Sequence, residues 1–431
     1  MITNIAIKLF ALRIRFAEIF FSSPIGWNFK KNRLQRSDKL RLFGAYFWAV
    51  VLAIYTLLEI SLLLPKLRTS KGSNRNILFL LVDILHSGIN QISTIISFLL
   101  IFKRDAMIAW FNGMLDLDAV LQRRLAHCIP TSHKLIKANK IWHIVVPVAW
   151  NWSMFTGMLP GFGLLLFEEI EPTYRFLEAL FGIKPKIELK FLPLWLTFML
   201  FLLNVLTPLS TIILTLFIYL LSSYVWLVMI TPTDRQLIAK NGNGTIVDAK
   251  ETFGDLQILQ KIRNGRINLT EFELNTPLGQ VPWSRLISYY RCQQVLNTMV
   301  NGMVQNVWMG SHLGYILMIL TSSLYLSIRH SGSIAFPSFL VCPTLVIAVV
   351  ILLVVECTIV GNLYEVSVSF TKKLSRSRSG KSAGAFRKIC KSLRPIKLEL
   401  ASPFFFVDRG LIFTSLDKVL NFVIELLCIH Q

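Results

Sequence analysis

Near its C-terminal end the chain reads Leu411-Ile-Phe-Thr-Ser-Leu-Asp417-Lys418-Val-Leu-Asn421-Phe-Val-Ile-Glu425-Leu-Leu-Cys428-Ile429. The stretch is long enough to cross a bilayer as a helix rising 1.5 Å per residue. It nevertheless carries Asp417, Lys418 and Glu425, and each charge at bilayer depth costs about 2.5–3.5 kcal/mol on insertion scales. Such groups must face water or one another. Thr414, Asp417, Asn421, Glu425 and Cys428 recur every three or four residues and fall on one helical face. Ile412, Phe413, Leu416, Val419, Leu420, Val423 and Leu427 form the apolar remainder. A hydrophilic stripe on a spanning helix is what a pore-lining segment requires, and carboxylates on it favour cations. One helix encloses nothing, so this reading demands several copies around an axis. The candidate pore-lining residues are Thr414, Asp417, Asn421, Glu425, Cys428 and Ile429. The same spacing allows a second arrangement, in which Asp417 pairs with Lys418 or a neighbouring helix and Glu425 rests at the outer interface.

Six further apolar runs precede this one: Phe43–Leu64, Ile77–Phe102, Ile141–Phe167, Phe191–Ile230, Val307–Ile328 and Phe336–Gly361. The predicted fold class is therefore all-α, a polytopic membrane protein with seven transmembrane helices. Composition agrees. Of 431 residues, 54% are hydrophobic and 16% charged, against about 25% charged in ordinary soluble domains, and mean hydropathy is +0.56. The net charge of +21 would suggest nucleic acid in a soluble protein; in a membrane protein it marks the cytoplasmic face, and no nucleic-acid partner is expected.

The position of the basic residues sets the orientation. With the N-terminus inside, Lys and Arg number nine in 1–42, seven in 103–140, eight in 231–306 and eleven in 362–410, against four, four and one in the outer loops. The forty residues 191–230 contain no Asp, Glu, Lys or Arg, and Asn204-Val-Leu-Thr-Pro208 would permit a hairpin there. That would move the segments 231–306 and 362–410 partly onto the less basic face, so a single helix is predicted, its lower half continuing as a cytoplasmic stem. The N-terminus is then cytoplasmic and the C-terminus extracellular.

The expected organisation follows: 1–42 a cytoplasmic segment with an amphipathic helix, 43–230 transmembrane helices 1–4, and 231–306 a cytoplasmic loop and helical stem serving as an anchor. Residues 307–361 hold helices 5 and 6, 362–410 a basic cytoplasmic loop and anchor, and 411–431 the pore-lining helix 7. Residues 1–22 read as a basic amphipathic helix resting on the membrane surface. Segment 231–306 is expected to contain a helix over Pro282–Gln305. Segment 362–410 contains Ser375-Arg-Ser-Arg-Ser-Gly-Lys-Ser and reads as a flexible solvated loop beside anionic headgroups, or as a phosphorylation site.

Six cysteines without a CxxC pair or zinc spacing call for no metal, cofactor or disulfide framework. No HExxH, GxSxG or P-loop pattern marks an enzyme. Ligand-lining candidates come from the polar and aromatic positions of the spans: Asp83, His86 and Asn90, with Ser87 and Thr94, on helix 2; Trp150, Asn151, Trp152 and Phe155 on helix 3; Trp195 on helix 4; Tyr315, Ser322 and Tyr325 on helix 5. A hydrogen-bonded network between helices accounts for the helix 2 face as well, and an interfacial aromatic belt for the tryptophans. Glu59 in helix 1 is a costly intramembrane carboxylate, and Glu356 belongs low in helix 6 near the basic face.

The segment Phe404-Phe-Phe-Val-Asp408-Arg409-Gly-Leu-Ile-Phe-Thr-Ser-Leu, leading into the last helix, resembles the C-terminal signature of the arthropod gustatory receptor family, relatives of insect odorant receptors. Length and inverted seven-helix topology accord with it. In that family the last helix usually carries Thr-Tyr, five apolar residues and Gln-Phe; the corresponding positions here are Asn421-Phe422 and Cys428-Ile429, so the chain resembles a divergent member. The resemblance implies a ligand-gated nonselective cation channel in the plasma membrane, a homotetramer or a heterotetramer with related receptors. It also implies seventh helices around the pore, a cytoplasmic anchor, and a small-molecule tastant bound in the outer part of each subunit, among membrane lipid. A metabotropic seven-helix receptor and a membrane transporter are the alternatives.

The sequons Asn243-Gly-Thr and Asn268-Leu-Thr lie in the fourth interhelical loop. With the N-terminus inside, neither meets the lumen, and glycosidase treatment of the expressed chain is expected to leave its mobility unchanged at both sites.

Overall fold

The computed structural model describes residues 4–19, 23–69, 74–125, 211–212, 215–228, 230–231, 283–304, 308–329, 341–376, 383–400 and 402–429. In chain order these form α1 (Asn4–Ile19), a hairpin of β1 (Ile25–Asn28) and β2 (Arg33–Arg36), then α2 (Lys39–Thr69), α3 (Asn74–Phe102) and α4 (Arg104–Leu125). A helix over Thr215–Val228 is α5. The remainder are α6 (Trp283–Val304), α7 (Trp308–Arg329), α8 (Val341–Arg376), α9 (Ala383–Ser392), a second ribbon of β3 (Glu399–Leu400) and β4 (Ser402–Phe406), and α10 (Gly410–Ile429). Runs 141–167 and the first part of 191–230 lie outside the described residues.

Three described helical stretches are long and apolar enough to cross a membrane: Lys39–Leu63, Met309–Arg329 and Cys342–Ser375. Each of α2 and α8 turns an apolar face away from the protein. On α2, Phe43, Phe47, Val50, Ile54 and Leu57 are exposed, whereas Ala45, Ala49, Leu52, Thr56 and Glu59 are buried at helical spacing. On α8 the exposed set is Ile347, Ile351 and Val354. Apolar surface of this extent is stable in lipid and not in water. The buried face of α2 includes the small residues Ala45 and Ala49, and α2 packs on α3; small residues on a packed face are the usual device where no hydrophobic force drives helices together.

Between these two helices the carboxylate of Glu59 accepts a hydrogen bond from Asn90 Nδ2 at 2.8 Å. One turn away Thr56 and Thr94 hydroxyls stand 3.2 Å apart. Gly88 of α3 permits contact with α7: a Cβ there would lie 2.7 Å from Met318 Cε and 3.1 Å from the Tyr315 ring. α3 runs almost directly into α4, since Lys103 N–H still bonds Leu99 C=O at 2.8 Å and Met107 N–H bonds Lys103 C=O at 2.9 Å.

The mostly helical reading lacked two small antiparallel ribbons. In the first, Ile25 pairs with Arg36 and Asn28 with Arg33, and Asn32 takes the positive φ of 49° that closes the turn. Leu34 faces inward while Arg33, Gln35 and Arg36 face out. The exposed backbone of β2 is satisfied by one side chain: Asn112 of α4 accepts from Leu34 N–H at 3.0 Å and donates to Leu34 C=O at 3.0 Å.

α1 turns its apolar face to the protein. Phe10 and Ile14 are fully buried against the hairpin and α4. Phe10 stacks on Phe111 at 4.5 Å and meets Trp27 edge-on at 5.8 Å, and Trp110 continues the chain of rings to Tyr219 of α5 at 5.3 Å. The ribbon supplies an aromatic surface that competes with lipid for the same face. Arg13 is carried inside with it, and burial pulls its guanidinium down to about 10, still charged at neutral pH.

Segment 362–410 is likewise not a simple loop. α8 continues to Arg376, and the chain returns through α9 and the second ribbon along α6. Asn112→Ala removes both bonds to β2 and leaves a part-buried N–H and C=O unpaired, a loss of about 1–3 kcal/mol. Trypsin cleavage at Lys30–Lys31 in the turn is expected to rise about tenfold, each ~1.4 kcal/mol being one decade, without change in cleavage elsewhere.

Candidate functional site

Residues 393–398 run extended along α6 with few strand partners of their own, so their backbone groups need side-chain partners. α6 supplies them from one face at helical spacing: Tyr290, Gln294, Asn297 and Asn301. Tyr290 Oη donates to Arg394 C=O at 2.8 Å, and Gln294 Nε2 to the same oxygen at 2.6 Å. Asn297 and Asn301 both donate to Lys397 C=O, at 2.8 and 3.0 Å. Asn301 Oδ1 also accepts from Glu399 N–H at 3.3 Å. From α8, Ser367 Oγ accepts from Ile396 N–H at 2.7 Å and lies 3.2 Å from Tyr290 Oη. The Tyr290 ring stacks on Phe370 at 4.6 Å, and its burial pushes the phenol up to about 12, so it remains a donor throughout the physiological range.

This clamp delivers the chain to α10. Phe406 packs on Tyr364 at 4.9 Å, with Lys397 Nζ 5.5 Å above its ring. Asp408 Oδ1 accepts from Leu411 N–H at 3.0 Å and caps the helix. Arg409 reaches back to α8, where it ion-pairs with Glu365 at 3.2 Å and donates to Asn362. Gly361 makes room for it: a Cβ there would stand 2.6 Å from Arg409 Cγ and 3.1 Å from its backbone nitrogen. The Asp-Arg-Gly of the signature is thus a cap, a tether to α8 and a helix start.

α10 packs on α7 and α8 through Ser415, Val419 and Val423, all buried. Thr414, Asp417, Asn421, Glu425 and Cys428 are exposed on the single chain. Phe413, Leu420, Phe422 and Ile424 are exposed too; of these, Phe413 and Leu420 turn outward instead of packing with Val419. Asn421 Nδ2 donates to Asp417 Oδ2 at 3.4 Å, and Thr414 Oγ1 to Gly410 C=O at 3.3 Å. Among the described residues neither Asp417 nor Glu425 makes an ion pair, so the local Asp417–Lys418 pairing is not formed. The side chain of Ile429 lies outside the described residues.

The ligand-lining candidates fare differently. Asn90 is buried on Glu59, the interhelical network that the sequence left open. Tyr315 is half-buried against Gly88, and Ser322 and Tyr325 are buried in α7. Residues 150–152, 155 and 195 and the side chains of Asp83 and His86 lie outside the described residues. Sequence reasoning missed the pair formed by His312 of α7 and Glu356 of α8, 3.2 Å apart, and the amide ladder of α6. The ladder's signal was Tyr290, Gln294, Asn297 and Asn301 at alternating steps of four and three.

No protein-family profile matches the chain, and no curated sequence does. Solved structures do. The chain has the fold of the insect olfactory receptor OR5 from Machilis hrabei: the complex of that receptor with eugenol matches over 98% of this chain and 97% of its own, with a TM-score of 0.63 and 14% identity. A second structure of the same receptor covers the same shares, with a TM-score of 0.56 and 12% identity.

Asp408→Ala removes the cap at a cost of about 1 kcal/mol. Amide exchange over residues 411–414 is expected to quicken about fivefold, whereas Asp408→Asn keeps it near the wild-type rate.

Proposed function

We propose that this chain is a chemosensory receptor of gustatory type that itself forms a ligand-gated, nonselective cation channel. Four copies would surround a pore lined by α10, with seven spans per copy and a cytoplasmic N-terminus. The observation that carries the reading is the disposition of α10. Its polar stripe is exposed on the single chain while Val419 and Val423 hold the helix to α7 and α8. Groups as costly in hydrocarbon as Asp417 and Glu425 need water there, and a shared aqueous axis supplies it. Fold likeness along nearly the whole chain to an insect olfactory receptor supports the same reading.

The ligand is proposed to be a small organic tastant held in the outer half of the bundle. Asp83, His86, Trp150, Asn151, Trp152, Phe155 and Trp195 would line that site together with the outer part of α7, Asn90 being committed to Glu59. One of the fold neighbours holds eugenol, a small aromatic molecule. Ligand binding would favour the open arrangement of the α10 helices over the closed one by its difference in affinity for the two. The clamp on residues 393–398 and the Arg409 tether would form the fixed end against which α10 moves.

Whole-cell recording from cells expressing the chain, across a panel of sugars and bitter compounds, tests this. Glu425→Gln or Asp417→Asn is expected to lower permeability to cations relative to anions, with surface expression unchanged. Normal expression with permeation unaltered in both variants would remove the acidic stripe as the conduction path.

A further inference from the structure

We propose that the outer side of the module formed by α1 and the first hairpin is a docking surface for anionic phospholipid headgroups of the adjoining leaflet; this rests on reading Lys39–Leu63 as a membrane span. The module's charges are sorted. The strand arginines face α4, where Arg33 pairs with Asp116 and Arg36 Nε lies 2.8 Å from Asp105. Glu18 is taken up by Arg41 at 3.3 Å and by Trp27 N–H at 3.2 Å. Asp38 stands at the opposite end of the hairpin from the turn, beside the start of α2. Toward the turn the balance reverses: Lys8, Arg15, Lys30 and Lys31 have no carboxylate within ion-pair distance among the described residues.

Apolar side chains are interleaved with these cations. Leu12 is 57% and Phe29 50% exposed, and Arg15 Cζ lies 5.4 Å from the centroid of the Phe29 ring, which brings the turn alongside α1. Lys8, Leu12 and Arg15 share one helical face, the face opposite to buried Phe10 and Ile14. Cations without a contacting carboxylate, of which Arg15 feels Glu18 nearby, set among an exposed ring and an aliphatic side chain suit a surface that is phosphate first and hydrocarbon just beneath. A purely polyanionic partner would leave Leu12 and Phe29 in water. The tether is short: α2 begins three residues after β2 ends, so the base of the hairpin stays within roughly 10 Å of the start of α2, at about 3.5 Å per extended residue. The turn lies a further four strand residues, about 13 Å, along the hairpin, and its cations come within the Debye length of about 8 Å of the leaflet when the hairpin lies along it.

Hydrogen exchange of the full chain in nanodiscs tests the surface, comparing phosphatidylcholine alone with phosphatidylcholine mixed with phosphatidylserine. Amides of residues 8–19 and 27–33 are expected to exchange about fivefold more slowly in the anionic discs. Raised salt should erase the difference. Lys30→Glu combined with Lys31→Glu should abolish it while exchange in 110–121 of α4 stays unchanged. Equal exchange of the wild-type chain in the two discs would overturn the proposal, as would slowing that survives both salt and the double variant. The wild-type comparison decides by itself should the variant also loosen α4. No ligand or current enters the measurement, so failure of the channel reading would show in recordings and leave this result standing.

Discussion

An extended strand of backbone cannot lie against a protein unless each of its N–H and C=O groups is answered, and the arrangement of the C-terminal third depends on how that is done for residues 394–399. A sheet would answer them with another strand. Here helices answer most of them: Tyr290, Gln294, Asn297 and Asn301 present donors and an acceptor along one face of α6, Ser367 of α8 takes Ile396 N–H, and Leu398 C=O is met by backbone, the Val407 N–H. Neutral hydrogen bonds of this kind contribute about 0.5–1.5 kcal/mol each, and leaving their partners bare costs more. The register of the strand on the helix is therefore specified by side-chain spacing, and with it the place where Asp408 starts α10 and Arg409 reaches Glu365.

The two halves of the molecule solve different solvent problems. Along α2 the exposed face is aliphatic and aromatic while the buried stripe holds Ala45, Ala49, Thr56 and Glu59, the inverse of a soluble helix, and α8 is apolar on both its exposed and its buried side. At the end that holds α1, α4, α6 and the clamp, the buried residues include the large rings Phe10, Phe111, Trp110, Trp226 and Tyr290 together with Arg13 and Asp118, while other charged residues stay outside or pair, as Arg36 does with Asp105. Gly113 marks the join: a Cβ there would sit 3.3 Å from Leu296 of α6, and Trp226 Nε1 donates to buried Asp118 at 2.7 Å. The N-terminal module, α4, α5 and α6 thus share one core at this end of the fold.

Much of this was legible in the residues, for reasons that differ by element. The apolar runs declare themselves because lipid demands long apolar stretches, and the described helices lie over six of the seven in whole or part: α2, α3, α5, α7, α8 and α10. The helix over 283–304 was visible from its pattern. The ribbons were not, since Ile25-Gly-Trp-Asn and Arg33-Leu-Gln-Arg are four residues each, too short for alternation to outweigh the helical segments around them. The extension of α8 through Lys372, Lys373 and Arg376 was concealed by its charge, which reads as solvated loop until Ser367, Phe370 and Leu374 are seen buried on its inner side. The polar stripe of α10 was legible from spacing alone; the Gly361 gap that admits Arg409 is a relation between distant segments that no local pattern contains.

Glu59 has a consequence for how the protein is made. A carboxylate arriving alone about one turn inside the end of the first apolar stretch, Lys39–Leu63, is disfavoured in lipid until it is paired, yet its companion Asn90 is thirty-one residues further along. The two helices are therefore most favourably released into lipid as a pair, after the ribosome has delivered both. That pairing is intramolecular, and the amide on the second helix acts as its own chain's escort for the acid on the first.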